Sequence, residues 1–427
     1  MRKKSNILFD PALRRKENHE ALILVALLFF LTKPYFFWAW YGNLFVNILV
    51  STIALVVIWR HTEKINEKKS TILAFYVCVL ILYLFNEFMK GARLGVVAYF
   101  PYVLLGFVPF VKKDFGRSVF NRFLTVYAII IGLSMISWIL SMAGVISPIG
   151  EIGEGNASLE AQRKFYLVYP LSLINIGGVE EVTRFCGIFD EPGVVGTLGG
   201  LMLCGLRYNM KDWRAVIILI SGLLSTSMFF YGLTAVFWLL ELLLVKKRHG
   251  IVLLIIVGIV ASYQFTKDND MMSDLVWKRF EWDSSKGGFA GNSREGEKTT
   301  LAVKKMQESG EIWFGVKDKE AYWQENFGSS SIYNVFAMYG IVFTSLYIVW
   351  LIAVGYHYRF SRWDFYLYCF VVLGCMYQRP NMFSLSYTFL FVGVARYLEF
   401  QLDSAMSHKK RITTRGQGAN FLSNTMT

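Results

Sequence analysis

The stretch Arg184–Gly193, written RFCGIFDEPG, brings ionisable side chains to the start of a long apolar run. Arg184 precedes Asp190 and Glu191 by about two helical turns. An ionisable group in a membrane is unfavourable, on the order of 2.5–3.5 kcal/mol by insertion scales, unless it is paired or faces water. A structural ion pair needs only one of the two carboxylates. Because there are two, we favour a functional site in which arginine binds an anion and a carboxylate exchanges a proton.

Arg294 is a second candidate because it lies near the predicted start of a helix. Asn292 is a suitable N-cap, and Ser309 with Gly310 is a stop signal, so we predict a helix over residues 292–309. Free N–H groups at a helix N-terminus attract anions, and an arginine beside them favours a phosphate site. The alternative is a solvated arginine on a charged helix. The expected apolar stripe of this helix consists of Leu301, Val303 and Met306.

Two further polar groups have less specific patterns. Glu87 lies beside Asn86 in an apolar run, and Arg93 at the same end is its expected partner. The segment Asp268–Asp270 resembles the D-x-D of nucleotide-sugar transferases, but we interpret it as a turn. The five cysteines include no CxxC pair and no spacing with histidine that would bind zinc. The sequence therefore predicts neither a metal site nor another cofactor.

The elements that must position these residues are apolar segments. Of the 427 residues, 55% are hydrophobic and 17% are aromatic. Apolar runs of about 15–25 residues recur, which is long enough to cross a hydrocarbon core. We therefore predict an all-α integral membrane protein of about 12 transmembrane helices. The predicted spans are 20–33, 41–59, 71–89, 93–111, 120–146, 186–206, 213–228, 230–245, 251–265, 331–355, 364–377 and 380–398.

The basic residues behind the formal net charge of +13 are distributed among the predicted connections and do not form one basic face. Lys and Arg cluster in alternate connections, which is the positive-inside pattern. We therefore expect cytoplasmic N- and C-termini, a bacterial inner (cytoplasmic) membrane location and no nucleic-acid partner. All the histidines then lie on the cytoplasmic side: His19, His61, His249, His357 and His408.

Two long segments interrupt the short connections between spans. The expected order is five transmembrane helices (1–146), a first periplasmic loop (147–185), four transmembrane helices (186–265), a second periplasmic loop (266–330), three transmembrane helices (331–398) and a cytoplasmic tail (399–427). Long loops in compact proteins are usually functional or disordered. Aromatic residues recur throughout the second loop, so we expect it to form a partly helical cap on the membrane face.

Arg184–Gly193 resembles the R-x-x-G-x-F-x-E-P motif of bacterial O-antigen and capsule polymerases (the Wzy type) and of their ligase relatives. The second loop resembles the same superfamily in its order, with Arg294, a helix, Trp313–Val316 and a return to the membrane through Ser329–Val342. The chain departs from the family where P-x-x-G-x-G is common, because Ile312–Lys317 reads IWFGVK.

The resemblance implies glycosyl transfer between lipid-linked molecules, in which a glycan leaves undecaprenyl pyrophosphate and joins a hydroxyl of a new repeat unit. On that basis Arg184 and Arg294 bind the departing pyrophosphate, and Glu191 or Asp190 acts as base. The expected partners are undecaprenyl-pyrophosphate-linked glycans and the bilayer, with a chain-length regulator and a flippase as further candidates. The residues expected to help bind substrate are Lys278, Arg279, Arg379, Arg93, Tyr333 and Asn334.

Three other functions stay open. An O-antigen ligase would use a histidine where the second loop re-enters the membrane, and this chain has Ser329 and Ser330 there. A transporter or flippase for lipid-linked oligosaccharide would favour inverted repeats and polar groups near the midplane, and no repeat is visible in the sequence. A lipid-phosphate glycosyltransferase would place carboxylates in the first outer turn, and Lys33–Tyr41 contains none.

Overall fold

Helices make up most of the chain in the computed structural model. The structure describes residues 11–41, 43–91, 99–153, 165–175, 184–269, 273, 277–278, 281–283, 288–289, 297–319, 321–322, 332–358, 361–379 and 381–399. The helices are α1 (Pro11–Phe30), α2 (Leu44–Arg60), α3 (Glu67–Met89), α4 (Lys113–Met142), α5 (Pro192–Gly205), α6 (Trp213–Leu224), α7 (Met228–Leu240), α8 (His249–Thr266), α9 (Glu297–Ser309), α10 (Ile332–His357) and α11 (Arg362–Gln378). Residues 385–399 form α12. Shorter elements are the helical turns Tyr35–Phe37 and Trp38–Tyr41 and the π-helical turn Glu241–Val245.

Four of these helices, α3, α4, α8 and α10, are long and apolar enough to cross a membrane. Shorter apolar helices accompany them at Leu44–Arg60, Pro101–Phe110, Pro192–Gly205, Trp213–Leu224 and Met228–Leu244. Large apolar side chains cover outward faces, with Phe45 71% exposed and Leu254 71% exposed. Broad exposed apolar surface is typical of a face that contacts lipid. The helices therefore indicate a multi-pass membrane protein.

The span predicted at 93–111 has a different geometry. Its described part is a 3-10 helix, Phe100–Phe110, that contains Pro101 and Pro109. Proline lacks an N–H donor and clashes with the preceding turn, so it disrupts regular α-helical hydrogen bonding. The apolar composition was a correct signal for a helical element, but the prediction of an α-helix was wrong there.

Two other predicted boundaries shift. The fifth span, predicted from residue 120, begins at Lys113, because helical backbone continues through the polar residues that precede the apolar run. The sixth, predicted from residue 186, becomes helical only at Pro192. Proline at the first helical position is favoured because its fixed φ suits a helix and its missing N–H needs no partner there. Residues 184–191 therefore form a non-helical segment that leads into α5.

The expectation of an all-α protein is wrong in the two long loops. Three strands, β1 (Gly150–Gly153), β2 (Phe165–Tyr169) and β3 (Ser172–Asn175), form an antiparallel sheet in that order. A second pair joins β4 (Trp282–Asp283) to β5 (Gly288–Phe289). Aromatic and β-branched residues favour strands, but runs of two to five residues are too short to show an alternating pattern in the sequence.

Helix α5 lies at the centre of the described bundle. Every residue from Val194 to Gly205 is buried, and α6 and α7 pack against it. Phe230 of α7 also fills the space above Gly222 of α6, where a Cβ atom would overlap the phenylalanine ring. Small residues permit such close helix approach in membrane bundles. This packing fixes the start of α5 and with it the segment that precedes it.

Ion pairs and backbone contacts hold the far end of α5, which we call the basic end and define by Arg207, Asp364, Glu241 and Arg396. Arg207 pairs with Asp364 and lies 3.6 Å from a carboxylate oxygen of Glu241. Arg396 donates a hydrogen bond to the carbonyl oxygen of Pro109 at 3.1 Å. Arg207 belongs to a connection that the charge pattern predicts to be cytoplasmic, and the other three residues lie near the predicted cytoplasmic ends of their spans.

Candidate functional site

The turn after α1 and the segment 184–191 meet at the opposite end of the bundle. Helix α5 has 14 residues and separates this end from the basic end by about 21 Å. The backbone N–H of Tyr35 donates to the carbonyl oxygen of Ile188 at 2.8 Å. The hydroxyl of Tyr166, on β2, donates to the backbone carbonyl of Asp190 at 2.7 Å. The first loop sheet and the α1 turn therefore hold this segment from two sides.

Glu191 and Arg379 form an ion pair at this end. Glu191 occupies the N-cap position of α5, but its side chain makes no capping bond. Its carboxylate instead accepts a hydrogen bond from Arg379, the residue that follows α11. The two side chains are 27% and 12% exposed, respectively, and the buried Nε atom of Arg379 has no hydrogen-bond partner among the residues that the structure describes. The pair joins residues 188 positions apart and stays accessible on its carboxylate side.

Lys33 and Asp190 add a second cation and a second carboxylate beside this pair. Lys33 is exposed to solvent, but the protein atoms around its ammonium partly desolvate it and lower its pKa, and the carboxylate of Asp190 opposes that shift. Burial also acts to lower the pKa of Arg379, but Glu191 and, less strongly, Asp190 help to raise it above the usual value. Asp190 therefore lies within electrostatic reach of both Lys33 and Arg379, and Arg379 also pairs with Glu191. We call Lys33, Asp190, Glu191 and Arg379 the charge cluster.

Arg184 anchors the start of the segment that carries both carboxylates. Its Nε donates to the hydroxyl of Thr226 at 2.7 Å, and a terminal nitrogen donates to the Thr226 carbonyl at 3.0 Å. Thr226 lies in the turn between α6 and α7. The next N–H, that of Phe185, donates to the Leu224 carbonyl at 3.2 Å. These contacts give Arg184 a positioning role, and its binding to phosphate stays a prediction.

The two motif regions of the second loop meet at a break in α10. Gly340 has φ 82 and ψ 156 inside the helix, a conformation open essentially only to glycine. The N–H groups of Ile341 and Val342 donate to the carbonyl oxygens of Ile312 and Trp313 at 2.9 and 3.1 Å. The loop thus supplies hydrogen-bond acceptors where the helix is interrupted, which explains why these distant stretches belong together.

Glu87 ties this loop to the end of α3. Its carboxylate pairs with Lys319 of the loop and lies 3.4 Å from the ammonium of Lys90. Lys90 also donates to the carbonyl oxygen of Phe314 at 2.6 Å, and Asn86 donates to the same oxygen at 3.0 Å. Buried Glu87 is therefore paired with lysines, one of which comes from the cap.

Phe383 connects the cap to the charge cluster. It follows Arg379 by four residues and has φ 54. Its ring centroid lies 5.5 Å from that of Tyr83 and 5.9 Å from that of Tyr339. The ammonium of Lys319 lies 5.6 and 5.8 Å from the same two tyrosine rings. One aromatic cluster therefore separates Lys319 from the turn that carries Arg379.

The other predicted site residues lie in different environments. Asn334 is 5% exposed and accepts a hydrogen bond from the hydroxyl of Tyr322 at 2.8 Å; burial raises the pKa of that hydroxyl to about 12. Tyr333 is half-buried with its ring 6.1 Å from that of Phe336, and Lys278 is exposed. These contacts of Tyr333 and Asn334 do not connect them to the charge cluster. Arg93, Arg279 and Arg294 lie outside the described residues.

Helix α9 confirms part of the prediction for the cap. It ends at the predicted stop, with Gly310 at φ 77, while the proposed N-cap Asn292 lies outside the described residues. The apolar stripe was partly wrong, because Leu301 is 56% exposed whereas Ala302 and Met306 are buried. Residues four apart share a helix face, and the small side chain of Ala302 was not recognised as part of it.

The described histidines lie away from the charge cluster. His61 pairs with Glu20 in the first half of α1 and stacks on Phe115 with ring centroids 3.7 Å apart, whereas Lys33 follows the other end of that helix. His357 is the last residue of α10, far beyond the break at Gly340. His19 lies in the first half of α1, and His249 begins α8. No imidazole among the described residues is therefore part of this cluster.

The charge cluster combines anion-binding and proton-accepting groups at one bundle end. Sequence reasoning selected Asp190, Glu191 and Arg379 but missed Lys33, whose signal was a lone cation between two apolar runs. It also missed Lys319, for which no local pattern exists. No family model, curated protein or solved structure matches this chain.

Proposed function

We propose that this protein polymerises lipid-linked oligosaccharide repeat units into O-antigen or capsular polysaccharide. The observation that carries the proposal is the partly exposed carboxylate of Glu191 held by Arg379, with Asp190 and Lys33 beside it. Arginine binds pyrophosphate oxygens through its planar fork, and a neighbouring carboxylate orients or deprotonates a hydroxyl. A site at the end of an apolar bundle suits two substrates that are both anchored in lipid, because anchoring favours their alignment.

In the proposed step, an acceptor hydroxyl attacks the anomeric carbon of the donor glycan. A new C–O bond forms while the bond between that carbon and the pyrophosphate oxygen breaks, so undecaprenyl pyrophosphate leaves with the bonding electron pair. Glu191 or Asp190 takes the proton of the hydroxyl. Arg379 and Lys33 stabilise the negative charge that develops on the leaving group. Because the donor is already activated, the step needs no nucleotide or metal.

The proposal includes a finer membrane arrangement. It assumes about 12 spans, cytoplasmic termini and a charge cluster on the periplasmic side of a bacterial inner membrane. Arg184 and Arg294 lie on that side in the same arrangement and are proposed as further cations for pyrophosphate. A chain-length regulator and a flippase are the proposed protein partners.

Two observations favour polymerisation over the other functions. A transporter is expected to have charged groups near the membrane midplane, whereas the buried charged residues Glu87, Glu241, Asp364 and Arg396 lie at or near helix ends. A ligase is expected to use an outer histidine, and the described histidines lie away from the charge cluster.

Complementation of cells that lack their own repeat-unit polymerase tests the proposal. Arg379→Ala and Glu191→Gln should each reduce the ladder of chain lengths to single repeats while the amount of protein in the membrane stays unchanged. Arg379→Lys should restore only part of the ladder, because lysine keeps the charge but loses the bidentate fork. The matched control is Arg362→Ala, which alters an exposed arginine at the other end of α11 and should leave the ladder intact. A normal ladder in both Arg379→Ala and Glu191→Gln would overturn the proposed site.

A further inference from the structure

A cavity of about 940 Å³ lies beneath the cap, between the end of α3, helix α9 and the segment that follows α9. Sites for small ligands typically enclose roughly 300–1,000 Å³. None of the four charge-cluster residues lines this cavity, so it is a second site. Among the residues that the structure describes, its charged lining consists of Lys90, Lys305, Lys317, Lys319, Glu87, Glu311 and Asp318.

The three carboxylates in the described part of the lining accept hydrogen bonds or ion pairs from the protein. Glu87 is paired with two lysines as described above. Glu311 accepts a hydrogen bond from the backbone N–H of Lys317 at 3.2 Å. Asp318 accepts one from the backbone N–H of Ala321 at 2.9 Å. The described lining has four lysines against three carboxylates, which gives a formal charge of +1, so it favours an anionic ligand over a cationic one.

The cavity also has an apolar side. Ala302, Met306, Val316 and Tyr322 line it, and all four are buried against each other in the core of the cap. A rigid apolar surface with charged groups above it suits a ligand that is both ring-shaped and anionic. Lysine, a compact point charge on a flexible stem, accommodates a carboxylate in several orientations, whereas the arginine fork of the charge cluster selects phosphate geometry.

We infer that this cavity binds an acidic sugar residue of the glycan, so that the protein selects repeat units that carry negative charge. The inference rests on the proposed function in taking a glycan as the ligand. The aromatic cluster of Tyr83, Tyr339 and Phe383 contacts Lys319 on the cavity side and leads to the turn of Arg379 on the other. A glycan held in the cavity would therefore lie next to this aromatic cluster, which includes Phe383 from the turn after Arg379.

Binding of fluorescent trigalacturonate to the purified full-length protein in detergent tests this inference. Lys305→Glu and Lys317→Glu should each weaken binding roughly five- to tenfold at low salt, because each reverses one charge near the ligand. The effect should shrink as ionic strength rises. Lys304→Glu is the matched control: Lys304 neighbours Lys305 on α9, is exposed and is not part of the lining, so at an ionic strength of about 0.15 M, where charges are screened beyond about 8 Å, binding should change less than about twofold. Maltotriose, which is neutral, should not compete.

Two results would overturn the inference. An equal loss in Lys304→Glu would mean that only general charge matters. The second result concerns inorganic pyrophosphate. If Lys305→Glu and Lys317→Glu abolished pyrophosphate binding but left trigalacturonate binding unchanged, the cavity would be assigned to the lipid carrier. Laddering is scored separately in cells. A laddering protein that binds no trigalacturonate would reject only the acidic-sugar site, whereas trigalacturonate binding without laddering would reject only the proposed polymerase.

Discussion

Replacing Gly340 with alanine should detach the cap from α10. The glycine has φ 82 and ψ 156, and an added Cβ would lie 2.5 Å from the Cα of Phe314, with the carbonyl oxygen of Trp313 closer still. Both neighbours are backbone atoms, so a side-chain rotation cannot relieve the overlap. The segment that contains Trp313 and Phe314 would therefore have to move.

The size of this effect follows from the contacts at the break. The backbone conformation alone is unfavourable for alanine by on the order of 1–3 kcal/mol. Moving the loop also breaks the hydrogen bonds that Ile341 and Val342 donate to it, each of which contributes roughly 0.5–1.5 kcal/mol. The expected loss in the free energy of unfolding is therefore roughly 2–6 kcal/mol.

Thermal unfolding of the purified protein in detergent measures this loss, and limited proteolysis at Lys317 and Lys319 measures release of the cap. Gly232→Ala is the matched control, because Gly232 lies inside α7 and an added Cβ meets no atom within 4 Å. Alanine there should be neutral or stabilise the helix by roughly 0.5–1 kcal/mol. If Gly340→Ala were as stable and as protease-resistant as Gly232→Ala, the proposed packing at the break would be refuted.

Two further substitutions test the end of the bundle that is farther from the charge cluster. Hydrogen bonds from Arg214 hold the pKa of Asp212 below its usual value of 3.8, so the carboxylate stabilises the folded state above that value and the contribution is lost as the pH falls through the folded pKa. Asp212→Asn keeps an N-cap side chain for α6 but removes the titrating group. Its melting temperature should therefore fall less than that of wild type between about pH 5 and 3, and an equal fall would contradict this. Asp364→Asn removes the closest partner of Arg207, whose pair is mostly buried. It should lower the free energy of unfolding by about 3 kcal/mol, with Glu241 limiting the loss, and an unchanged melting temperature would contradict this.

The helices were largely predictable because apolar length and flanking charge have direct physical causes in a bilayer. The predicted span 331–355 corresponds closely to α10, Ile332–His357. The break at Gly340 was not predictable, because glycine also occurs inside ordinary membrane helices. Its role depends on the approach of a loop that begins after α9. Local sequence therefore revealed the element but not the contact that interrupts it.

The candidate site was predictable as a set of residues but not as pairs. Glu191 and Arg379 were both selected, yet their pairing depends on how α5 and α11 pack. For Glu87, the sequence led us to expect Arg93 as the partner because it lies at the same outer edge. The described partners are Lys90, only three residues away, and Lys319, which is 232 residues away. Charge patterns identify which groups need partners, whereas tertiary packing chooses among them.

Accessibility distinguishes the charge cluster from the ion pairs of the basic end. Within the described part of the chain, buried Nε atoms without hydrogen-bond partners occur in Arg207 and Arg396 as well as in Arg379, so such a donor does not by itself indicate function. The carboxylates differ more clearly, since Asp364 is 6% exposed in its pair and Glu191 is 27% exposed in its own. A carboxylate must reach a substrate hydroxyl to exchange a proton with it. The end of the bundle that holds Glu191 is therefore the place to test the proposed reaction.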